Sequence, residues 1–229
     1  MTKTKNIPWV QIAVEATAIV ASILLAFAID AWWQDRQDRS DEQEILAGLK
    51  SEFVANLDTL TRHLAYTRRD VQTLENIVTL IESNQSNNAN SIVLETFIEM
   101  TTPATTDLRN GTLNALLSSG RLEILQSKKL RILLAAWDGV MREVWDDQAN
   151  NAKMVSDLFI PYFIQEQYPI FSIGESSGDS VELARILADA TFLTLVKLRR
   201  EAKSHLVGEL EQAVSEATSI IEEIENSLK

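Results

Sequence analysis

Residues 7–29 run 23 positions with a single charged side chain, Glu15. As a helix rising 1.5 Å per residue, this stretch reaches about 34 Å, enough to cross a hydrocarbon core of about 30 Å. Beyond it the pattern changes to polar positions broken by apolar ones every three, four or seven residues. Leu46, Leu49, Phe53, Leu57, Leu60, Leu64, Val71, Leu74, Val78 and Ile81 form the apolar seam of a helix that packs in a bundle or coiled coil. No proline interrupts residues 30–83, so the apolar helix is expected to run straight into this one. The polar, Asn-rich stretch 83–91 is the first clear turn. A short helix over 92–100 should stop before Pro103, and another, near 113–118, should be closed by Gly120 in the position that a helix C-terminus favours.

A second long helix is expected to start with Ser127 as its N-cap, to carry Leu130, Leu133, Leu134, Trp137, Met141, Val144 and Trp145 inward, and to end near Phe159, bracketed by Pro161 and Pro169. After a loop at 174–178, Asp179 or Ser180 is placed to cap a final pair of helices over 181–228. Their seam is read as Leu195, Leu198, Leu206, Leu210, Val214, Ile221 and Ile224. The fold class is therefore all-α: a short tail over 1–6, one transmembrane helix over 7–33, and an antiparallel helical bundle of about four principal helices over 34–229.

Composition sharpens this reading. Seven glycines and four prolines in 229 residues are too few for a sandwich or barrel that turns every 8–12 residues. The absence of cysteine removes disulfides, thiolate zinc sites and a cysteine nucleophile together, and leaves the compartment open. The formal charge of −12 is unevenly placed: residues 1–33 sum to zero, and residues 34–229 hold 19 basic against 31 acidic side chains. Such a body is a poor partner for nucleic acid or an anionic lipid surface.

Within the span, Gln11, Glu15, Ala18, Ser22 and Ala26 fall on one helical stripe with Asp30 at its edge. Ala18, Ser22 and Ala26 are small residues at four-residue spacing, which lets two helix backbones approach closely in lipid. An acid at the level of Glu15 costs about 3 kcal/mol or more if it faces lipid, so it is expected to be protonated, paired or turned toward another helix; snorkelling to the nearer interface is the alternative. Trp9 at one end and Trp32 and Trp33 at the other match the aromatic anchors of the two membrane interfaces. Lys3 and Lys5 ahead of an apolar run that ends in Ala26-Phe27-Ala28 also fit a cleaved signal peptide, but the length of the run and the acid inside it favour an uncleaved anchor. Arg36 and Arg39 nearly balance the two lysines. A short basic N-terminus ahead of a long domain favours a cytoplasmic N-terminus and a periplasmic bundle.

The segment from Glu15 to Trp33, with Ile23-Leu24-Leu25-Ala26-Phe27 followed by Ile29-Asp30 and Trp32, resembles the N-terminal signature of a family of small bacterial membrane-anchored proteins with no established activity. Leu116, Ser119-Gly120, Leu122, Ile124-Leu125 and Leu130-Arg131 resemble that family's mid-domain segment more weakly, and Ser22 stands where the family usually has glycine. The resemblance covers about a fifth of the chain. It implies a bacterial inner-membrane protein and transfers no catalytic residue.

Other motifs give way to simpler readings. Gly174-Glu175-Ser176-Ser177-Gly178 matches a nucleophile elbow, which works only on a strand–turn–helix beside a parallel sheet, so a loop is the better reading. Glu201, His205 and Glu209 share a helix face without the paired Glu-x-x-His pattern of a di-metal bundle, and His63 has no comparable acidic set around it in sequence. Trp137, Met141 and Trp145 read as core. The acidic stretch with Glu222, Glu223 and Glu225 reads as a solvated face. No catalytic residue, metal ligand set or cofactor motif is assigned. The expected partners are the lipid bilayer and either a second copy of the chain or other membrane subunits. The expected function is a non-enzymatic structural or interaction subunit of a membrane assembly, with an extracytoplasmic sensor or ligand-binding bundle as the alternative.

Overall fold

The computed structural model describes residues 9–83, 89–103, 105–168 and 184–229, with side chains from Val14 onward except in 16 and 89–94. The protein is an all-α helical bundle, without a strand among the described residues. Its spine is α1, Trp9–Glu82, an unbroken helix of 74 residues that extends about 110 Å at the standard rise. It contains no proline and one glycine, Gly48, so nothing kinks it between the apolar span and the distal end of the bundle.

The chain then returns along α1 through α2 (Ala89–Thr101), an irregular segment, α3 (Gly111–Ser118) and a 3₁₀ turn (Arg121–Ile124). It runs outward again as α4 (Lys128–Met154), a π-turn (Val155–Phe159) and α5 (Ile160–Gln165). It comes back as α6 (Ala190–Ser227), antiparallel to α1, with Lys197 bonded to Glu82 at the distal end and Lys50 paired with Glu225 near the foot. The four passes match the expected bundle, although the second pass is broken into pieces.

Side chains of α1 hold that broken pass in place. The Asn56 amide donates to the Arg109 carbonyl (2.7 Å) and accepts from the Arg109 N–H (2.8 Å). Glu52 accepts the N–H groups of Thr112 (2.7 Å) and Leu113 (3.2 Å), capping the first turn of α3 from a neighbouring helix. A Cβ at Gly48 would lie 3.1 Å from Thr112 Cγ2, so a small residue is needed where α3 leans on α1. Nearer the apolar span, Glu42 accepts the Gln126 N–H at 2.7 Å and Arg121 bonds Asp41 at 2.8 Å. Replacing Glu52 by alanine strands two donors at a buried helix end. Chemical denaturation of the full chain in detergent is expected to show a loss of about 2 kcal/mol.

Several boundaries follow the sequence. Ser127 caps α4, accepting the Leu130 N–H at 3.1 Å, and Gly120 takes the left-handed conformation (φ 67°) after α3. Others differ. Pro161 does not end the outward pass: its missing N–H and its ring, which crowds the carbonyl four residues back, are accommodated by the wider π-turn, after which the helix resumes. The last long helix is a single element preceded by a helical turn at 184–187. Its cap is Asp189, whose Oδ1 accepts the Thr191 N–H at 2.7 Å and whose Oδ2 accepts the Tyr168 hydroxyl at 2.9 Å and the Tyr162 hydroxyl. Asp179, Ser180, Pro169 and the 174–178 motif lie outside the described residues.

The core forms two apolar clusters. The one nearer the apolar span gathers Leu46, Phe53, Trp137, Met141, Leu210 and Ile220, with Phe53 and Trp137 edge to face at 5.1 Å. The distal one gathers Leu74, Phe97, Phe159, Phe163, Phe192 and Val196. Between them the seams turn polar.

Candidate functional site

Two features stand apart from ordinary core and surface. The first is the part of α1 that has no partner within the chain. Every described side chain from Val14 to Ser40 is exposed, including Leu24 (63%), Phe27 (67%) and Trp33 (62%). Among the described residues α1 is the helix long and apolar enough to cross a membrane, and none of its apolar window is buried inside the protein. A core helix of the same hydropathy would be covered, so this surface lacks its solvent or its partner.

The structure places Glu15, Ala18, Ser22, Ala26 and Asp30 on one side of this helix, within an arc of about 120° at 3.6 residues per turn. The Ser22 hydroxyl donates to the Ala18 carbonyl at 2.7 Å, which satisfies it within its own helix and keeps that face polar-neutral. Gln11 and Trp9 occupy helical positions on α1, and their side chains lie outside the described residues. Trp32 and Trp33 are exposed at the other end of the span.

The same side of α1 stays open in the body. Ala47, Ser51, Val54 and Ala55 line a shallow groove of about 550 Å³ together with Lys50, Asp58, Arg109 and Leu228. Counting 100° per residue puts Ala47, Ser51, Val54 and Ala55 within about 20° of members of the Ala18, Ser22, Ala26 series. One flank of one straight helix thus carries small residues both in the span and outside it.

The second feature is a buried polar layer that the sequence reading did not foresee. In α6 the buried positions Phe192, Val196, Arg199, Lys203, Leu206, Leu210, Ala213, Ala217, Ile220 and Ile224 step by four and three without a slip. The seam expected through Leu195 and Leu198 is one position out of phase there, and Leu198 is 44% exposed. In α4 the same stepping brings in Gln148 and Asn151, and in α1 it brings in Thr67 and Asp70. Where three heptad seams meet, all of them turn polar at one level.

Lys203, with its side chain 2% exposed, donates to Asp70 Oδ2 at 2.6 Å and lies 3.8 Å from Glu99 Oε2. Arg199 is fully buried. It donates to the Asn151 carbonyl (3.0 Å) and Asn151 Oδ1 (2.8 Å), and to the carbonyls of Glu99 (3.3 Å) and Thr102 (3.0 Å). Its guanidinium therefore closes the carboxyl end of α2, where a cation complements the orphan carbonyls and the helix dipole. Burial brings Arg199 down to about 10, opposed by the charges of Asp70 and Glu99. Gln148 bonds both the N–H (3.1 Å) and the hydroxyl (2.6 Å) of Thr106, and its amide is 3.5 Å from the His63 ring. Burial first, then Lys203, holds His63 below its usual range, with Asp70 pulling the other way. His63 is thus part of this layer, contrary to its isolated appearance in the sequence. A strict four-three count from Phe192 would have exposed the layer.

His205 has a different setting. Its Nδ1 lies 2.6 Å from Asp147 Oδ2 on α4, and its side chain is 69% exposed. The hydrogen bond and charge of Asp147 raise it above the usual imidazole range. Its contribution to stability is complete below the unfolded-state value and lost as pH rises through the folded one. An NMR titration of His205 is expected to show this upward displacement, and Asp147→Asn should remove it. Among the described residues no group of three or more His, Asp or Glu side chains is arranged to hold a metal ion.

No family model, curated protein or solved structure matches the chain.

Proposed function

We propose that the chain is a non-enzymatic, single-span protein of a bacterial inner membrane that serves as an interaction subunit of a membrane assembly. It associates through the Glu15, Ala18, Ser22, Ala26 face of α1, with the bundle as its docking domain on the periplasmic side. The observation that carries this reading is the solitary α1. It leaves the bundle at Asp41 and presents uncovered apolar surface from Val14 through Trp33, and its small-residue flank continues into the open groove at Ala47, Ser51 and Ala55. In lipid, where apolar surface alone does not drive association, close backbone approach and an inward-facing acid are what hold helices together.

The test is purification in mild detergent with mass measurement of the intact particle and identification of what co-purifies. Wild type is expected to run above the mass of one chain, and Ser22→Leu, which fills the flank, should release it. Glu15→Ala should weaken the association as well. A wild-type monomer whose behaviour neither variant changes would overturn the proposal. A second reading, an extracytoplasmic sensor, draws on a groove of about 320 Å³ lined by Arg69, Thr73, Glu95, Ile98 and Glu99. A small molecule retained through native purification and lost in Arg69→Ala would favour it.

A further inference from the structure

The buried polar layer contains one group placed to respond to pH. Asp70 on α1 and Glu99 on α2 both approach the single ammonium of Lys203, at 2.6 and 3.8 Å. Asp70 holds the short contact and Lys203 is almost wholly enclosed, whereas the Glu99 side chain is 20% exposed and forms part of the wall of the groove lined by Arg69, Thr73, Glu95 and Ile98. Glu99 thus has one side toward a buried carboxylate and the other toward water that can carry its proton.

We propose that the Asp70–Glu99 carboxyl pair is a proton-operated latch that holds α2 against α1 when it shares a proton and loosens α2 when that proton leaves. In the closed state neutral Glu99 hydrogen-bonds Asp70, which keeps its contact with Lys203. In the open state two carboxylates compete for one ammonium, and Glu99 turns toward the groove, where Arg69 and water receive it. The charged groups that face Glu99 are Asp70 and Arg69 from α1, Glu95 from α2 itself, and Lys203 from α6, with Arg199 of α6 bonded to its backbone carbonyl. Asp70 disfavours ionisation of Glu99, and Lys203 and Arg69 favour it. Burial, together with the Asp70 hydrogen bond and charge, outweighs the cations and pushes Glu99 up to about 7.

The folded state binds the Glu99 proton more tightly than the unfolded chain does, so the latch contributes fully at acid pH. Its contribution falls as pH rises from about 4.5 through about 7. Phe97 and Met100 anchor α2 in the distal cluster, so loosening reaches that cluster before the one nearer the apolar span.

Hydrogen exchange of the full chain in detergent, read by mass spectrometry between pH 5.5 and 8.5 and corrected for the intrinsic rate of amide exchange, tests this. Protection of α2 is expected to fall by about ten-fold or more across the range, while residues 205–224 keep theirs. Glu99→Gln retains a neutral hydrogen-bonding group and should hold α2 protection flat. Glu95→Gln, on the solvent side of the groove, should keep the wild-type transition. Flat protection of α2 in wild type, or a transition that survives in Glu99→Gln, would overturn the latch. If Glu99→Gln does not fold, the comparison of wild type with Asp70→Asn decides: removing the like charge should move the transition to lower pH, and an unmoved transition would overturn the proposal.

Discussion

Lys203→Met is expected to lower the unfolding free energy of the bundle by about 3–5 kcal/mol, measured by chemical denaturation of the full chain in detergent at pH 8. Lys203 has its side chain 2% exposed and its ammonium is the closest cation to Asp70. The substitution leaves the aliphatic stem in place and removes only the charge. Asp70 is then buried without its partner, and Glu99 loses one of the two cations that oppose its proton uptake. The intact pair itself is a small net contributor, because the desolvation of both ions offsets most of their attraction. Adding Asp70→Leu to Lys203→Met is therefore expected to recover most of the loss. A double variant as unstable as the single one would show that the ion pair stabilises the bundle outright.

Trp137→Ala is expected to cost about 3–5 kcal/mol by the same measurement, whereas Trp137→Phe should cost much less. Trp137 is 1% exposed in the core cluster nearer the apolar span and meets Phe53 edge to face at 5.1 Å. Its indole N–H has no hydrogen-bond acceptor among the described residues. Truncation to alanine opens a cavity in the core and removes the aromatic contact. Phenylalanine gives up part of the ring but also removes a buried donor that nothing satisfies, and the two effects oppose each other. The contrast between the two variants, more than either value, shows that this position contributes through volume and ring contact and not through the indole N–H.

The two variants probe different parts of the same helical seams, and those parts differ in how far the sequence reveals them. Leu46, Phe53, Leu60, Trp137, Met141, Leu210 and Ile224 were identifiable as core because apolar residues at helical spacing have one low-energy place to go. Ser127 and Gly120 were identifiable because caps are local chemistry, decided within a turn of the chain. Arg199 and Lys203 were not. A charged residue on a seam is costly in isolation, and Leu195 and Leu198, one position away, offer an apolar seam in its place. What makes 199 and 203 tolerable is supplied from other helices: the carbonyls of Glu99 and Thr102, the amide of Asn151 and the carboxylate of Asp70. None of these partners lies within 40 positions of Arg199 or Lys203 along the chain, so no local pattern announces them.

The apolar span with its single acid, the neutral charge of residues 1–33 and the −12 carried by the rest belong to the sequence alone. They follow from composition within one contiguous stretch, and so does the helical fold class, which depends on periodicity and on the scarcity of glycine and proline. The tertiary structure decided that α1 runs without a break from the span to the far end of the bundle, leaving one flank uncovered along the span and open at Ala47, Ser51, Val54 and Ala55. It also decided that charged and amide side chains of α1, α2, α4 and α6 close a polar layer between two apolar clusters. Both results depend on the phase of helices relative to one another. That phase is fixed only when separate seams pack together, and the energy of burying an ion is offset by groups that packing alone brings near.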